Sequence, residues 1–140
     1  MIASGACTDS SMNRIAFHGY DFAPVADLDL LIGAYDAARG RDGLRTHVGL
    51  IFSGDTFYHP RPELMAPMVA HGVLAVEMEA SALYTLAARH GRKALAICTV
   101  SDHVVTGEET TAQEREQTFG AMVEIALAAA VRDGVSVRAQ

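Results

Sequence analysis

The sequence predicts an α/β fold in which helices flank a parallel central sheet, and two observations carry that prediction. Residues 72–103 read as a strand, a helix and a second strand, with Gly91 ending the helix. The second strand, residues 94–100, shows no apolar–polar alternation. Such a strand is typical of a parallel sheet that helices bury on both faces.

The composition fits one globular domain. The chain has 140 residues, of which 50% are hydrophobic and 20% are charged, so it is long enough to bury a core. Its net charge of −6 and the lack of a Lys/Arg cluster argue against a nucleic-acid surface.

Cys7 and Cys98 stand far apart outside any CxxC motif, which predicts two buried thiols in a reducing compartment. Without a membrane-length apolar run or a signal peptide, the chain is predicted to be cytoplasmic.

The first third of the chain is predicted to form extended structure, one helix and one strand. Residues 1–22 are short apolar pieces broken by turn-forming residues, which predicts extended and loop structure without a helix. Residues 26–38 carry apolar side chains at spacings of three and four, which predicts an amphipathic helix ended by Gly40 and Gly43. Residues 48–52 then read as a buried strand.

The middle third alternates helices and strands. Residues 63–70 predict a short helix, in which Pro67 removes a backbone donor and should cause a kink. A strand over residues 73–76, a helix over 79–89 and the strand over 94–100 follow. This order is the one that builds parallel strands with helical crossovers.

The last helix is predicted from a capping box and an apolar stripe. Thr111 fits the N-cap, with Glu114 reaching back to it, and Gly134 is expected to end the helix. The stripe comprises Phe119, Met122, Val123, Ala126, Ala129 and Ala130.

Carboxylates follow both strands of residues 72–103, where parallel sheets bind their ligands. Glu77 and Glu79 can either stabilise the N-terminus of the next helix or face a ligand, and position alone leaves both open. Asp102 is placed to donate or accept a proton, partly desolvated at its strand end, or else to bond its own loop backbone. The adjacent Ser101 and His103 do not make a Ser-His-Asp triad, because triads are assembled from distant chain positions.

Two further side chains carry weaker signals. Arg115 lies in the first turn of the last helix, where a cation opposes the helix dipole unless a ligand or a carboxylate compensates. Phe57, in the loop after a strand, could stack on a flat ligand or close the core. The six histidines show no metal-ligand spacing, and no nucleotide-binding glycine motif is present.

Four motifs follow one another as in the nucleoside phosphorylase superfamily. They are Gly-Ala-Cys-Thr-Asp-Ser at 5–10, Val-Glu-Met-Glu-Ala at 76–80, Ser-Asp-His at 101–103 and Glu-Glu-Thr-Thr-Ala-Gln-Glu-Arg at 108–115. Through them nearly the whole chain resembles the hexameric, DeoD-type purine nucleoside phosphorylases. Uridine phosphorylases and methylthioadenosine nucleosidases share the second motif, while the third and fourth together point to the purine branch.

The resemblance implies a three-layer fold with a central mixed sheet flanked by helices. It also implies that residues 1–140 are the C-terminal portion of a single, N-terminally truncated nucleoside phosphorylase domain. In the family, the N-terminal part carries the glycine and arginine residues that bind phosphate and the residues lent to a neighbouring subunit. We therefore expect little or no phosphorolytic activity from the 140-residue chain alone.

The resemblance further implies a reaction of purine salvage, in which phosphate attacks the ribose anomeric carbon and releases the purine. Asp102 is implied to be the general acid that protonates purine N7, assisted by Arg115. Inorganic phosphate is the co-substrate, no metal or organic cofactor is implied, and the family assembly is a homo-hexamer.

Six residues are implied to bind the nucleoside. Glu79 is implied to hold ribose hydroxyls, Met78 to pack on the sugar and Glu77 to support the segment. The base pocket is implied to be lined by Phe57, Val76 and Ser101.

Two other functions stay open. A hydrolase of the same superfamily would cleave the nucleoside with water and release free ribose. A non-catalytic subunit would bind nucleosides, or assemble with longer partners, without turnover.

Overall fold

A computed structural model describes residues 1–57, 62–104, 106–107 and 110–138, without the side chains of 62, 112, 114–118, 133 and 135–138. Three strands form the sheet: β1 (Ile2–Thr8), β2 (Val48–Ser53) and β3 (Val73–Glu77). They lie in the order β1-β2-β3, and both pairs are parallel. The predicted parallel α/β architecture is confirmed, and all three carboxyl ends lie at one edge of the sheet.

The prediction that residues 1–22 contain no helix is wrong by one short element. After β1 the chain forms α1 (Met12–Ala16), a helix of five residues. The backbone N–H of Ile15 donates to the carbonyl of Ser11 over 2.9 Å. A helix this short is little more than one turn, so it has no apolar periodicity that a sequence pattern could reveal.

Helix α2 (Leu28–Ala38) forms where it is predicted and begins two residues later. Asp27 is its N-cap, and its carboxylate accepts the N–H of Leu30 over 3.0 Å. The helix ends at Ala38 with Arg39 as its C-cap, after which Gly40 adopts a positive φ of 80°. Glycine takes that conformation without the steric cost that a Cβ atom would bring.

The predicted strand over residues 94–100 is wrong as a regular element. Within it only Ile97 forms a bridge, antiparallel to Ile2, at the edge of β1 that faces away from β2. The N–H of Ala96 donates to the hydroxyl of Tyr84 over 3.0 Å instead of to another strand. The segment therefore lies beside the sheet without a continuous ladder.

The remaining helices follow the predicted order with shifted ends. A 3₁₀ turn (Pro62–Leu64) precedes α3 (Met65–Ala70), so the helix predicted for residues 63–70 is divided before Pro67. Helix α4 (Ala80–Arg89) matches its prediction within one residue. Among the described residues, no helix is long and apolar enough to cross a lipid bilayer.

Helix α5 (Ala112–Arg138) runs past Gly134, so the predicted end is wrong. A glycine inside a helix costs only about 1 kcal/mol relative to alanine, and the surrounding turns can carry that cost. The predicted capping box cannot be compared, since the side chain of Glu114 lies outside the described part.

Helices cover both faces of the sheet, which makes three layers. On one face Ile2 of β1 packs with residues of α2 and α5; on the other, Ala3 and Ile51 pack with Tyr84 of α4. Ile2 and Ala3 point to opposite faces because successive strand residues alternate. This is the layered arrangement that the resemblance implies.

Helices α2 and α5 approach each other closely. A Cβ atom built on Gly33 would lie 3.2 Å from the Cα of Ala129, so a larger residue there would push the helices apart. Arg132 on α5 donates to Asp36 on α2 over 2.5 Å. Arg41, after α2, pairs with Glu124 over 2.7 Å.

The pair of Asp36 and Arg132 makes part of the stability depend on pH. The hydrogen bond from Arg132 lowers the pKa of Asp36 below its usual 3.8. A lowered folded-state pKa adds stability above the unfolded pKa, and that stability is lost as the pH falls through the folded pKa. We expect Asp36→Asn to lower the melting temperature by about 1–4 °C at neutral pH.

The measurement is thermal melting of both proteins from neutral pH to below 3.8. The difference should shrink as Asp36 becomes protonated in the wild type. Asp42→Asn, in the exposed loop after α2, serves as the control and should melt like the wild type. A deficit of Asp36→Asn that stays constant over the whole range would contradict the linkage.

Candidate active site

The last residues of the three strands form a polar row at the carboxyl edge of the sheet. Thr8 ends β1, Ser53 ends β2 and Glu77 ends β3. The strand register pairs Thr8 with Ser53 and Ser53 with Glu77, so the three residues stand side by side. Side chains at this edge are where a parallel sheet places a ligand site.

Glu77 uses both carboxylate oxygens inside the protein. Oε1 accepts a short hydrogen bond from the hydroxyl of Ser53. Oε2 accepts the backbone N–H groups of Glu79 and Ala80, each over 2.8 Å. A carboxylate at this place satisfies free donors at the helix start and complements the helix dipole. Glu77 therefore serves as the side-chain cap of α4.

Glu79 differs from Glu77 although it is only two residues away. It occupies the N-cap position of α4, yet its side chain makes no capping hydrogen bond. Both Glu79 and the preceding Met78 are exposed. The sequence leaves two roles open for these carboxylates, stabilising the helix or facing a ligand. Glu77 stabilises the start of α4, while Glu79 remains accessible to a ligand.

Ser53 is a member of the site that the sequence did not single out. It is only 3% exposed, and its hydroxyl accepts the N–H of Ser81 over 2.9 Å while donating to Glu77. Thr8 donates from its Oγ1 to the carbonyl oxygen of Ser53 over 2.7 Å. The sequence does contain a signal for Ser53. It is a small polar residue at the end of a mainly apolar strand, just as Glu77 is an acidic residue at the end of the next strand.

A groove runs along the outer edge of β3. Its walls are mainly apolar and come from α3, from residues 73–76 and from the segment 100–104. Val76 and Asp102, both predicted site residues, line it together with His103. The described residues that line it do not include Phe57, Met78, Glu79 or Ser101.

Asp102 is exposed, so the prediction that it is partly desolvated is wrong. The hydroxyl of Ser101 donates to its Oδ2 over 2.8 Å. The carbonyl oxygen of Ser101 in turn accepts the N–H of Thr110 over 2.8 Å and its hydroxyl over 2.6 Å. These bonds hold the loop that places Asp102 at the groove.

Phe57 and Arg115 complete the set of predicted site residues. Phe57 is 78% exposed, so closing the core is excluded and stacking on a ligand stays open. The side chain of Arg115 lies outside the described residues, although its backbone belongs to α5.

The described side chains offer neither a metal cluster nor a reactive thiol. No group of three or more described His, Cys, Asp or Glu side chains could hold a metal ion together. Cys7 and Cys98 are free and half-buried, and burial raises the pKa of both thiols. Both are therefore protonated at neutral pH and poor nucleophiles.

Comparison with known proteins gives a consistent relationship. Residues 1–135 match the profile of the family described as the Phosphorylase superfamily. The chain is 54% identical over 132 residues to a protein named purine nucleoside phosphorylase DeoD-type from Bacillus cereus. Proteins of the same name from Bacillus thuringiensis and Bacillus mycoides match equally. In each case the match covers 94% of this chain and 56% of the relative, so the chain spans little more than half their length.

Proposed function

The chain belongs to the phosphorylase superfamily, and from that membership we propose that it provides the purine and sugar side of a purine nucleoside phosphorylase site. The reaction is the reversible phosphorolysis of purine ribonucleosides and deoxyribonucleosides. Its substrates are the nucleoside and inorganic phosphate, and it needs no metal or organic cofactor. We further propose that the protein works in the cytoplasm as a homo-oligomer, in the family a hexamer.

One observation supports this proposal most directly. The cap formed by Glu77 fixes the turn after β3 and leaves Met78 and Glu79 exposed at the carboxyl edge. An exposed carboxylate there can accept hydrogen bonds from two neighbouring ribose hydroxyls, and Met78 can pack on the apolar face of the sugar. The groove lined by Val76 offers an apolar wall for the base.

The chemical step moves one proton and one electron pair at the base. The bond between the anomeric carbon and the purine nitrogen breaks, and its electron pair moves onto the purine ring. Asp102 acts as the general acid, giving a proton to N7 and so neutralising the leaving base. A phosphate oxygen forms the new bond to the anomeric carbon, which gives ribose 1-phosphate. Arg115 stabilises the Asp102 carboxylate that remains.

The products distinguish this proposal from the alternatives. The test compares the 140-residue chain with a chimera that adds the part of the Bacillus cereus relative outside the match. With inosine and phosphate, the chimera should release hypoxanthine and ribose 1-phosphate, and the chain alone little or none. Free ribose would indicate a hydrolase, and nucleoside binding without turnover by the chimera would indicate a non-catalytic protein. Efficient turnover by the chain alone would refute the expectation that it provides only the purine and sugar side of the site.

The role of Glu79 can be tested by binding alone. We expect Glu79→Gln to weaken inosine binding by about tenfold, because a neutral amide accepts sugar hydrogen bonds less strongly than a carboxylate. Hypoxanthine, which has no sugar, should bind both proteins equally. Calorimetry of the two ligands on the 140-residue chain measures both affinities. Asp42→Asn, in the exposed loop after α2, is the control for the loss of one carboxylate, and equal weakening of both ligands by Glu79→Gln would rule out a sugar-specific contact.

A further inference from the structure

We propose that Ser53 is a positioning residue for the sugar-binding carboxylate. Through Glu77 it holds the turn that presents Glu79, and the row of Thr8, Ser53 and Glu77 acts as one hydrogen-bonded unit across the three strand ends. The inference rests on the proposed function, since it assigns Glu79 to the sugar.

The hydroxyl of Ser53 has a single possible orientation. A serine hydroxyl carries one proton and two lone pairs. The N–H of Ser81 can only donate, so it takes a lone pair, and the proton points to Oε1 of Glu77. Burial of Ser53 to 3% exposure keeps water from replacing either partner. The hydroxyl therefore links the end of β2 to the first turn of α4 and to Glu77 at once.

Glu77 connects Ser53 to the turn between β3 and α4. One of its oxygens is held by Ser53, and the other accepts the N–H groups of Glu79 and Ala80. A carboxylate fixed on one side and bonded to two backbone donors on the other restricts how the backbone can rotate between them. The backbone N of Glu79 is thus held directly by the cap, while its own side chain makes no capping bond.

Thr8 anchors the row from the other end. Its hydroxyl donates to the carbonyl oxygen of Ser53 over 2.7 Å and accepts the N–H of Ser10 over 3.0 Å. These bonds fix the Ser53 backbone at the point where β2 ends. Thr8 pairs with Ser53 and Ser53 with Glu77 in the strand register, so regular strand pairing alone places the three residues side by side.

Binding of two ligands separates positioning from a general structural role. We expect Ser53→Ala to weaken inosine binding to the 140-residue chain by about tenfold and to change hypoxanthine binding by less than about twofold. In a Glu79→Gln background, Ser53→Ala should have no further effect on inosine, because the residue through which it acts is already changed. Equal weakening of both ligands, or the same loss in both backgrounds, would overturn the inference.

Hydrogen exchange tests the row without any ligand. The amides of Glu79, Ala80 and Ser81 should exchange at least about tenfold faster in Ser53→Ala, while that of Leu86 in the middle of α4 keeps its rate. Ser81→Ala is the matched control, because its hydroxyl is buried without a hydrogen-bond partner among the described residues and its N–H is retained. Unchanged exchange in Ser53→Ala would overturn the inference.

Two outcomes distinguish a failure of the proposed function from a failure of the positioning role. If the wild-type chain binds no inosine although exchange responds to Ser53→Ala, the proposed function fails, and with it the assignment of the turn to a sugar. If inosine binds but ignores Ser53→Ala, only the positioning role fails. Should Ser53→Ala not fold, Thr8→Val removes the anchor with an isosteric side chain, and we expect the same pattern at about two- to fivefold for inosine.

Discussion

Replacing Asp102 by Asn is expected to lower kcat/KM for inosine phosphorolysis by about 10²–10⁴-fold, the usual contribution of a positioned general acid. Asn keeps the size of Asp102 and can keep the contact with the Ser101 hydroxyl, but it has no acidic proton to give to the base. The measurement uses the chimera with the Bacillus cereus relative and follows hypoxanthine release in the presence of phosphate. Asp42→Asn, exposed in the loop after α2, controls for the loss of one surface charge.

A second substrate tests whether the lost group is an acid. A nucleoside methylated at N7 already carries the positive charge that protonation would create, so its base leaves without a proton. We expect the loss in Asp102→Asn to fall to less than about tenfold with 7-methylinosine. The same large loss with both substrates would show that Asp102 acts by binding or by structure and not by proton transfer.

The sequence proposes Glu79 and Asp102 because each follows an apolar segment that predicts a strand of a parallel sheet. The structure keeps this reason for Glu79, which follows β3, but not for Asp102, since residues 94–100 form only an antiparallel bridge to β1. The separation of Glu77 from Glu79 was not predictable. It depends on the Ser53 hydroxyl, which the strand register brings to Glu77 from 24 residues away in sequence. Ser53 and Glu77 end two parallel strands joined by a crossover that contains a helix, so the sequence next to either residue does not show that they lie opposite each other.

The fold shows the same limit. Helix α2 was predictable because its apolar spacing lies in one stretch, while its N-cap Asp27 was found only in the structure. Residues 94–100 have the composition of a buried strand, but a strand also needs a partner for each backbone group. In this segment the N–H of Ala96 bonds to a tyrosine hydroxyl, which takes the place of a ladder bond. Residues 94–99 are half-buried, so their apolar composition indicates contact with the core but does not by itself indicate a strand.

That tyrosine is where we expect the largest loss of stability. Tyr84 is 2% exposed in the core cluster between α4 and the sheet. Its hydroxyl donates to the carbonyl oxygen of Ala3 over 2.7 Å and accepts the N–H of Ala96 over 3.0 Å. Tyr84→Ala should lower the free energy of unfolding by about 3–5 kcal/mol, a large share of the total stability of a small domain.

Tyr84→Phe separates the hydroxyl from the ring. The ring stays packed, but the N–H of Ala96 loses its acceptor inside the protein, which costs about 1–3 kcal/mol. Urea unfolding monitored by circular dichroism gives both values. Tyr35→Phe, on the exposed side of α2, is the matched control and should change stability by less than about 0.5 kcal/mol. A Tyr84→Phe variant as stable as the wild type would mean that the backbone hydrogen bonds of this segment with Met1, Ala3 and Asp27 hold it without the tyrosine hydroxyl.

The stabilities of the wild type and Tyr84→Phe should also respond differently to alkaline pH. Burial raises the pKa of Tyr84 above the usual 10.0, although the hydrogen bond from Ala96 opposes that shift. A phenol whose pKa is raised by folding binds its proton more tightly in the folded state. Its contribution is therefore complete below pH 10.0 and is lost as the pH rises from there through the folded-state pKa. Tyr84→Phe lacks this loss, so the stability gap between wild type and variant should narrow above pH 10.0. A gap that widens there would show that the ionised form of Tyr84 is the one that folding favours.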